Sequence, residues 1–298
     1  MKNKTVIIIT GPTAVGKTAV AVQLAQHFHT KIISADSRQC FKELNIGVAK
    51  PSEEELQTVQ HYFINSHSIH EEVNAALFEQ LSLQWVNEIF KENDTAVMVG
   101  GTGLYIKAFC EGFDEMPVMD NQVRTSIREE YEQKGMLWLQ ETVKAKDAAY
   151  YKQGEIQNPH RLMRALEVKI STGRSILEFR SFQKKERPFN IKKIGLELSK
   201  EELNANIDPR VDMMIDKGLI EEAKKLIEYR KLNALQTVGY KELFDYFNNE
   251  SELNEAIALI KKNTRHYAKR QMTWFRKDND INWVSPHDPG SLKKITQS

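Results

Sequence analysis

A doubly wound α/β architecture with an inserted all-helical subdomain is predicted by three features of the sequence. Short β-branched stretches alternate with longer helical ones from Thr5 to Val99. The first of these stretches opens onto a glycine-bearing loop and then a helix. Between Met116 and Arg187 the pattern turns helical throughout, with no strand. Alternating strands and helices with apolar strands imply a parallel sheet covered by helices on both faces.

Thr5–Thr10 is the first strand, a buried β-branched run, and 17–28, rich in Ala, Val, Leu and Gln, is the first helix. Between them Gly11, Pro12, Thr13, Ala14, Val15, Gly16, Lys17 and Thr18 fit G-x-x-x-x-G-K-[ST]. Strand, loop and helix in this order aim backbone N–H groups and a helix N-terminus at an anion. The eight residues are therefore candidate phosphate ligands, and the sheet is P-loop NTPase-like. Lys17 would add a point charge, and the Thr18 hydroxyl would reach a Mg²⁺ bound through the phosphates. Residues 31–35 form a second strand that ends at Asp36-Ser37. Ser52 and Glu55 stand at capping-box spacing. Residues 74–93 are helical, with Leu77, Leu81, Trp85 and Ile89 at four-residue spacing. Thr95–Val99 is a third strand, ending in Gly100-Gly101-Thr102-Gly103.

In the insertion, 120–134 is a helix ending at Gly135, and 135–149 continues as helix. Asn158 and Pro159 open another, as N-cap and first-turn proline, which stops at Gly173. Residues 191–198 return to the sheet, and Ser199 and Glu202 repeat the capping-box spacing. Residues 208–230, 241–247 and 253–276 are helical, and the last stretch of the chain is loop and tail. The predicted division is a core of residues 1–115 and 188–298 around a helical insertion of 116–187.

The chain has 298 residues, 41% apolar and 28% charged, with a formal net charge of +1. These values are ordinary for a globular protein and argue against one that is basic throughout. No apolar run approaches the ~20 residues needed to span a bilayer. No secretory pattern precedes the first strand. Cys40 and Cys110 form no C-x-x-C pair, so neither a zinc nor a disulfide framework is expected. A cytoplasmic, membrane-free protein is the expectation. Charge is uneven, however. Residues 261–277 hold seven Lys/Arg and no acid, and 158–187 hold eight Lys/Arg against three Glu. Local basic stretches of this kind can bind nucleic acid. His61, His67 and His70 have no further ligand set around them, so no metal site is expected there.

ATP-hydrolysing machines pair the phosphate loop with an apolar strand ending in Asp. Here the candidate strand ends in Gly-Gly-Thr, which weakens a motor or GTPase reading. Asp36 falls at the C-terminal edge of the sheet, where open α/β folds bind ligands. A carboxylate there suits a general base or an acceptor orienting an attacking N–H or O–H. It fits a Mg²⁺-shell or turn residue equally well. Thr102 is expected at the same cleft. In 253–276, Lys262, Arg265, Lys269 and Arg276 form a basic stripe expected to meet RNA, while Tyr267 and Trp274 are expected to pack on the core.

Further blocks carry a resemblance: Gly11 to Thr18, Ala35-Asp36-Ser37, Asn45-Ile46-Gly47-Val48-Ala49-Lys50-Pro51, Val99 to Tyr105, His160 to Glu167, Gly239-Tyr240-Lys241-Glu242 and Tyr267 to Phe275. In this order, from residue 11 to 275, they resemble the bacterial tRNA dimethylallyltransferases (tRNA isopentenyltransferases). The resemblance implies transfer of a dimethylallyl group from dimethylallyl diphosphate to the N6 amine of the adenine 3′ of a tRNA anticodon (position 37), with release of diphosphate. Asp36 and Thr102 would be catalytic, and Mg²⁺ would accompany the diphosphate. Contacts to the anticodon stem-loop would come from Asp36, Ser37, Arg38, Gln39, Thr102, Arg124, His160, Arg161, Leu162, Met163 and Arg164. The chain is expected to act as a monomer. Arg210, Arg265 and Arg270 are all candidates for the diphosphate arginine, and the sequence does not choose among them. The alternatives are an adenylate isopentenyltransferase, a P-loop nucleotide kinase, or a tRNA-binding protein without catalysis.

Overall fold

Six strands form an all-parallel sheet in the computed structural model, which describes residues 4–114, 116–117, 119–180 and 183–288. They are β1 (Thr5–Thr10), β2 (Ile32–Ser34), β3 (His61–Tyr62), β4 (Thr95–Val99), β5 (Asn190–Leu196) and β6 (Ile281–Val284), in the spatial order β3-β2-β4-β1-β5-β6. Val6, Ile7, Ile8 and Ile9 of β1 are at most 3% exposed, as a central strand with both faces covered must be. The helices are α1 (Lys17–His27), α2 (Glu53–Thr58), α3 (Ala75–Ile89), α4 (Gly103–Glu111), α5 (Asn121–Lys146), α6 (Ala148–Gln153), α7 (Pro159–Thr172), α8 (Lys200–Asp216), α9 (Leu219–Lys225), α10 (Tyr240–Phe247) and α11 (Leu253–Phe275). Among the described residues none is long and apolar enough to cross a membrane.

Local chemistry sets the helix ends. The capping boxes of Ser52 with Glu55 and Ser199 with Glu202 both form. Asn158 accepts from Arg161 N at the start of α7, and Gly173 ends it in the left-handed region at φ 74°. α5 is broken at Gly135, whose φ of 75° is not helical.

The chain divides into two compact units, Met1–Glu111 with Lys185–Ser298, and Gly112–Lys184. The second unit has its own core of Ile127, Leu139, Val143, Tyr150, Leu162 and Leu166, among others, from α5, α6 and α7. At its root the two chain crossings are tied within the first unit. Lys185 N donates to Glu111 O at 2.8 Å, and buried Arg187 reaches Glu79 Oε1 and the carbonyls of Phe109 and Ala108.

Several elements differ from expectation. The stretch taken as loop and tail contains β6, which pairs with β5 from Lys193 to Leu196. β3, of two residues, and α4 carry too little periodicity to read from sequence. α8 begins at Lys200, not 208, and contains Pro209. The deep stripe of α3 is Phe78, Ser82, Val86 and Ile89, one position along from Leu77, Leu81 and Trp85, because Phe78 stacks on Tyr105 of α4 at 4.7 Å. In α11 the core face is Ala256, Ile260, Ala268, Gln271 and Phe275. Tyr267 is half-buried and Trp274 is 39% exposed, so the two aromatics do not form the core stripe.

The exits of β2 and β4 run very close together. Ala35 N donates to Val99 O at 2.6 Å, and a Cβ on Gly100 would lie 2.2 Å from Ala35 O. Backbone cannot yield as a side-chain tip can. Gly100→Ala is expected to destabilise the protein by about 1–3 kcal/mol, the cost of overpacking, seen as a lower urea midpoint at unchanged slope.

Candidate active site

The C-terminal ends of β1, β2 and β4 deliver three loops to one edge of the sheet. After β1 comes the phosphate loop. Gly16 adopts φ 91° and Ala14 φ 64°, turning the chain into α1 at Lys17. Gly11, Pro12 and Val15 are buried and shape the loop from beneath, while Thr13, Ala14, Gly16, Lys17 and Thr18 line a cavity of about 670 Å³. Lys17 Nζ donates to Pro12 O at 2.6 Å. Burial pushes its ammonium down to about 7; neighbouring Arg210 adds to this, and Asp36 pulls partly the other way. Arg210 is also held below its ordinary value by burial, opposed by Asp36. Two poorly hydrated cations thus face one carboxylate in a single cavity, an arrangement that favours a polyanion.

After β2 comes the turn 36–39. Asp36 Oδ1 accepts from Arg38 N at 2.8 Å and Gln39 N at 3.3 Å, while Oδ2 has no hydrogen-bond partner among the described residues. Asp36 and Gln39 line the phosphate-loop cavity. Ser37 and Arg38 line a second cavity of about 480 Å³, with Lys241, Asn263 and Arg270. Tyr267 lines both. The dipeptide Asp36-Ser37 therefore joins a site built for phosphate to a polar recess that carries Arg38, Lys241 and Arg270 beside Glu242 and Asp245.

Two predicted contacts turn out to brace this turn. Gln39 Nε2 donates to Val48 O and Ala49 O, and its Oε1 accepts from Ser34 Oγ, which holds the segment 45–50 in place. Thr102, after β4, lies on neither cavity wall. Its Oγ1 accepts from Ser37 N at 3.0 Å and its N–H donates to Ala35 O. Its hydroxyl is therefore engaged with the turn that carries Asp36. The blocks Asn45–Pro51 and Gly239–Glu242 meet at Glu222, a residue that the sequence reading passed over. Glu222 accepts from Ile46 N, Gly47 N and Tyr240 Oη.

The geometry also separates the three arginines. Arg265 is paired with Asp208, and Arg270 lines the second cavity. Arg210 alone of the three lines the phosphate-loop cavity. On α11, Arg276 pairs with Glu197, and Lys262 and Lys269 are exposed. Of the histidines, His61 Nδ1 lies 2.8 Å from Val59 O and His70 packs on Tyr229. No group of three or more His, Cys, Asp or Glu is placed to hold a metal among the described residues.

In the helical unit the predicted contacts split by chemistry. His160 and Arg161 are exposed at the start of α7. Arg164 Nη1 lies 3.1 Å and Arg124 Nε 3.7 Å from the same Glu167 Oε2, which joins α5 to α7 and sets two guanidiniums side by side. Leu162 is fully buried and Met163 packs against the unit's core. As a candidate RNA contact the Leu162 side chain is corrected to core, because α7 turns one face inward against α5.

The family model described as IPP transferase matches residues 39–278. The chain is 46% identical over 294 residues to a tRNA dimethylallyltransferase of Cytophaga hutchinsonii, covering 99% of this chain and 96% of that one. It is 48% identical over 277 residues to one of Christiangramia forsetii, covering 93% and 92%. The fold matches the crystal structure of a full-length tRNA isopentenylpyrophosphate transferase of Bacillus halodurans with TM-score 0.71 and 35% identity, over 99% of this chain and 94% of that one. It also matches a eukaryotic dimethylallyltransferase acting on tRNA with TM-score 0.79 and 26% identity, over 99% and 77%. A phosphate loop without an acidic strand end, a turn shared by two cavities and this length of similarity have one common reading: the chain belongs to the IPP transferase family.

Proposed function

We propose that the chain transfers a dimethylallyl group from dimethylallyl diphosphate to the N6 amine of adenine 37 in tRNA and releases diphosphate. The observation that carries this reading is the turn 36–39, which puts Asp36 on the phosphate-loop cavity and its neighbours Ser37 and Arg38 on the second recess. Two large substrates that must meet need two recesses joined at one short turn. A kinase reading lacks support from β4, which ends in Gly-Gly-Thr. A free-nucleotide acceptor would not call on exposed Arg161 or the paired Arg124 and Arg164 of the helical unit.

In this reading Lys17 and Arg210 face the diphosphate, and their charge stabilises it as the C–O bond breaks. The donor set suits Mg²⁺, because Thr18 offers one hydroxyl at the first turn of α1 and, among the described residues, no acidic cage competes with substrate oxygens and water. A bound Mg²⁺ would hold the Thr18 hydroxyl and supply further charge neutralisation to the leaving group. Asp36 Oδ2 orients the adenine amine and takes its proton, with Thr102 fixing the turn. The amine is a weak nucleophile, so alignment with the allylic carbon counts as much as the base. The adenine reaches the cleft by leaving its stack. Ser37 and Arg38 meet it from the recess, and Arg124, His160, Arg161 and Arg164 hold backbone phosphates. A single chain supplies both cavities, so the monomer is the working form of the proposal.

The test is a comparison of acceptors. Labelled dimethylallyl diphosphate is offered with unmodified tRNA, with AMP, and alone. Label in tRNA is the expected outcome. Label in AMP but not in tRNA overturns the proposal.

A further inference from the structure

The phosphate loop and the β4–α4 turn are separate in sequence, yet Thr13 and Gly101 line the same phosphate-loop cavity. One side chain ties them together. Gln271, on the core face of α11, is 7% exposed. Its Oε1 accepts from Thr13 N at 2.8 Å, and its Nε2 donates to Gly101 O at 2.9 Å. The fit is tight: a Cβ on Gly101 would stand 2.2 Å from Gln271 Nε2. The amide's orientation follows from its partners, since a backbone N–H needs an acceptor and a backbone carbonyl needs a donor. Among side chains of this length only an amide meets both; a carboxylate would set lone pairs against Gly101 O, and a thioether would offer a weak acceptor to Thr13 N and no donor to Gly101 O.

The tie continues past Gly101. Thr102, the next residue, bonds Ser37 N through Oγ1 and Ala35 O through its own N–H. A continuous path thus runs from Thr13 through Gln271, Gly101 and Thr102 to the turn that carries Asp36. We infer that Gln271 is a positioning residue that keeps the phosphate loop in register with the Asp36 turn, so that a held donor and a held acceptor meet in line. The inference rests on the transfer reading above for its kinetic consequence, though not for its structural one. Gln271 also takes the Thr13 N–H out of the set of backbone donors available to the diphosphate, which makes this amide part of the scaffold.

The experiment compares Gln271→Met and Gln271→Glu with the parent in two readouts. In single-turnover transfer to tRNA, Gln271→Met is expected to lower the rate by about 10–100-fold, the effect of a small misalignment, with Gln271→Glu lower still. Affinity for tRNA should stay within about threefold, because the groups placed on it are untouched, and since Gln271 itself lines the phosphate-loop cavity the single-turnover rate is read at saturating donor. In hydrogen exchange, which needs no turnover, Gln271→Met should speed exchange in both 11–18 and 36–39 while the strands keep their protection. Faster exchange in only one segment, or a Gln271→Met rate within twofold of the parent, overturns the inference. A parent that modifies no tRNA would instead overturn the transfer reading, and the exchange result would still decide the coupling.

Discussion

Replacing Asp36 by asparagine is expected to slow dimethylallyl transfer by about 10²–10³-fold, within the range for loss of a general base, while tRNA and donor affinities stay within about threefold. The choice of asparagine matters. The turn 36–39 is held by Oδ1, which accepts from Arg38 N and Gln39 N. An asparagine carbonyl can keep both bonds, so the loop survives and only the proton acceptor is lost. Asp36→Ala removes the acceptor and the turn together, and its defect should be at least as large with some loss of tRNA affinity through Ser37 and Arg38. The comparison separates chemistry from architecture. Single-turnover rates with enzyme in excess, beside filter-binding titrations, are the measurement. A rate for Asp36→Asn within tenfold of the parent would remove Asp36 as the base and leave it a turn residue.

What could be read in the sequence, and what could not, follows from the range of the interactions. β1, β4 and α7 are each specified by signals lying within the element: a β-branched run, or an asparagine cap at one end and a glycine at the other. The phosphate loop was legible for the same reason, since eight consecutive residues suffice. β3 and β6 are short and gain their identity from a neighbour strand, which local periodicity does not report. The buried stripe of α3 is offset by one position from Leu77, Leu81 and Trp85 because Tyr105 of α4 decides which face is inward. The same limit hid the supports of the site. Gln271 holds partners 258 and 170 residues away, and Glu222 closes on Ile46 from 176 residues away. Gln271 lies inside a block that carries the resemblance and Glu222 outside all of them, yet the work of both is invisible without coordinates. Arg210 illustrates the intermediate case: its residue type was expected, and only its place on the cavity wall distinguishes it from Arg265 and Arg270.

Lys17 carries the second large effect, and it comes with a pH signature. Burial, with Arg210 nearby, depresses its ammonium to about 7 in the free protein, so above that pH the side chain is mostly neutral. Diphosphate reverses the balance. Its negative charge favours the protonated form, so the pKa rises on binding and a proton is taken up from solvent. The sign is fixed by this order. Uptake should approach one proton per donor bound at pH 8.5, where the free lysine is neutral and the bound one charged. It should fall away by pH 6, where both are charged. Titration calorimetry of dimethylallyl diphosphate in buffers of different ionisation enthalpy measures the number directly. Lys17→Met is expected to abolish this uptake and to lower kcat/KM by about 10²–10³-fold, the cost of deleting one group that meets developing negative charge. Its kcat should fall along with its donor affinity, since the charge on diphosphate grows as the C–O bond breaks and the lysine matters more in the transition state than before it. Proton uptake that persists unchanged in Lys17→Met would assign the titrating group elsewhere in the cavity.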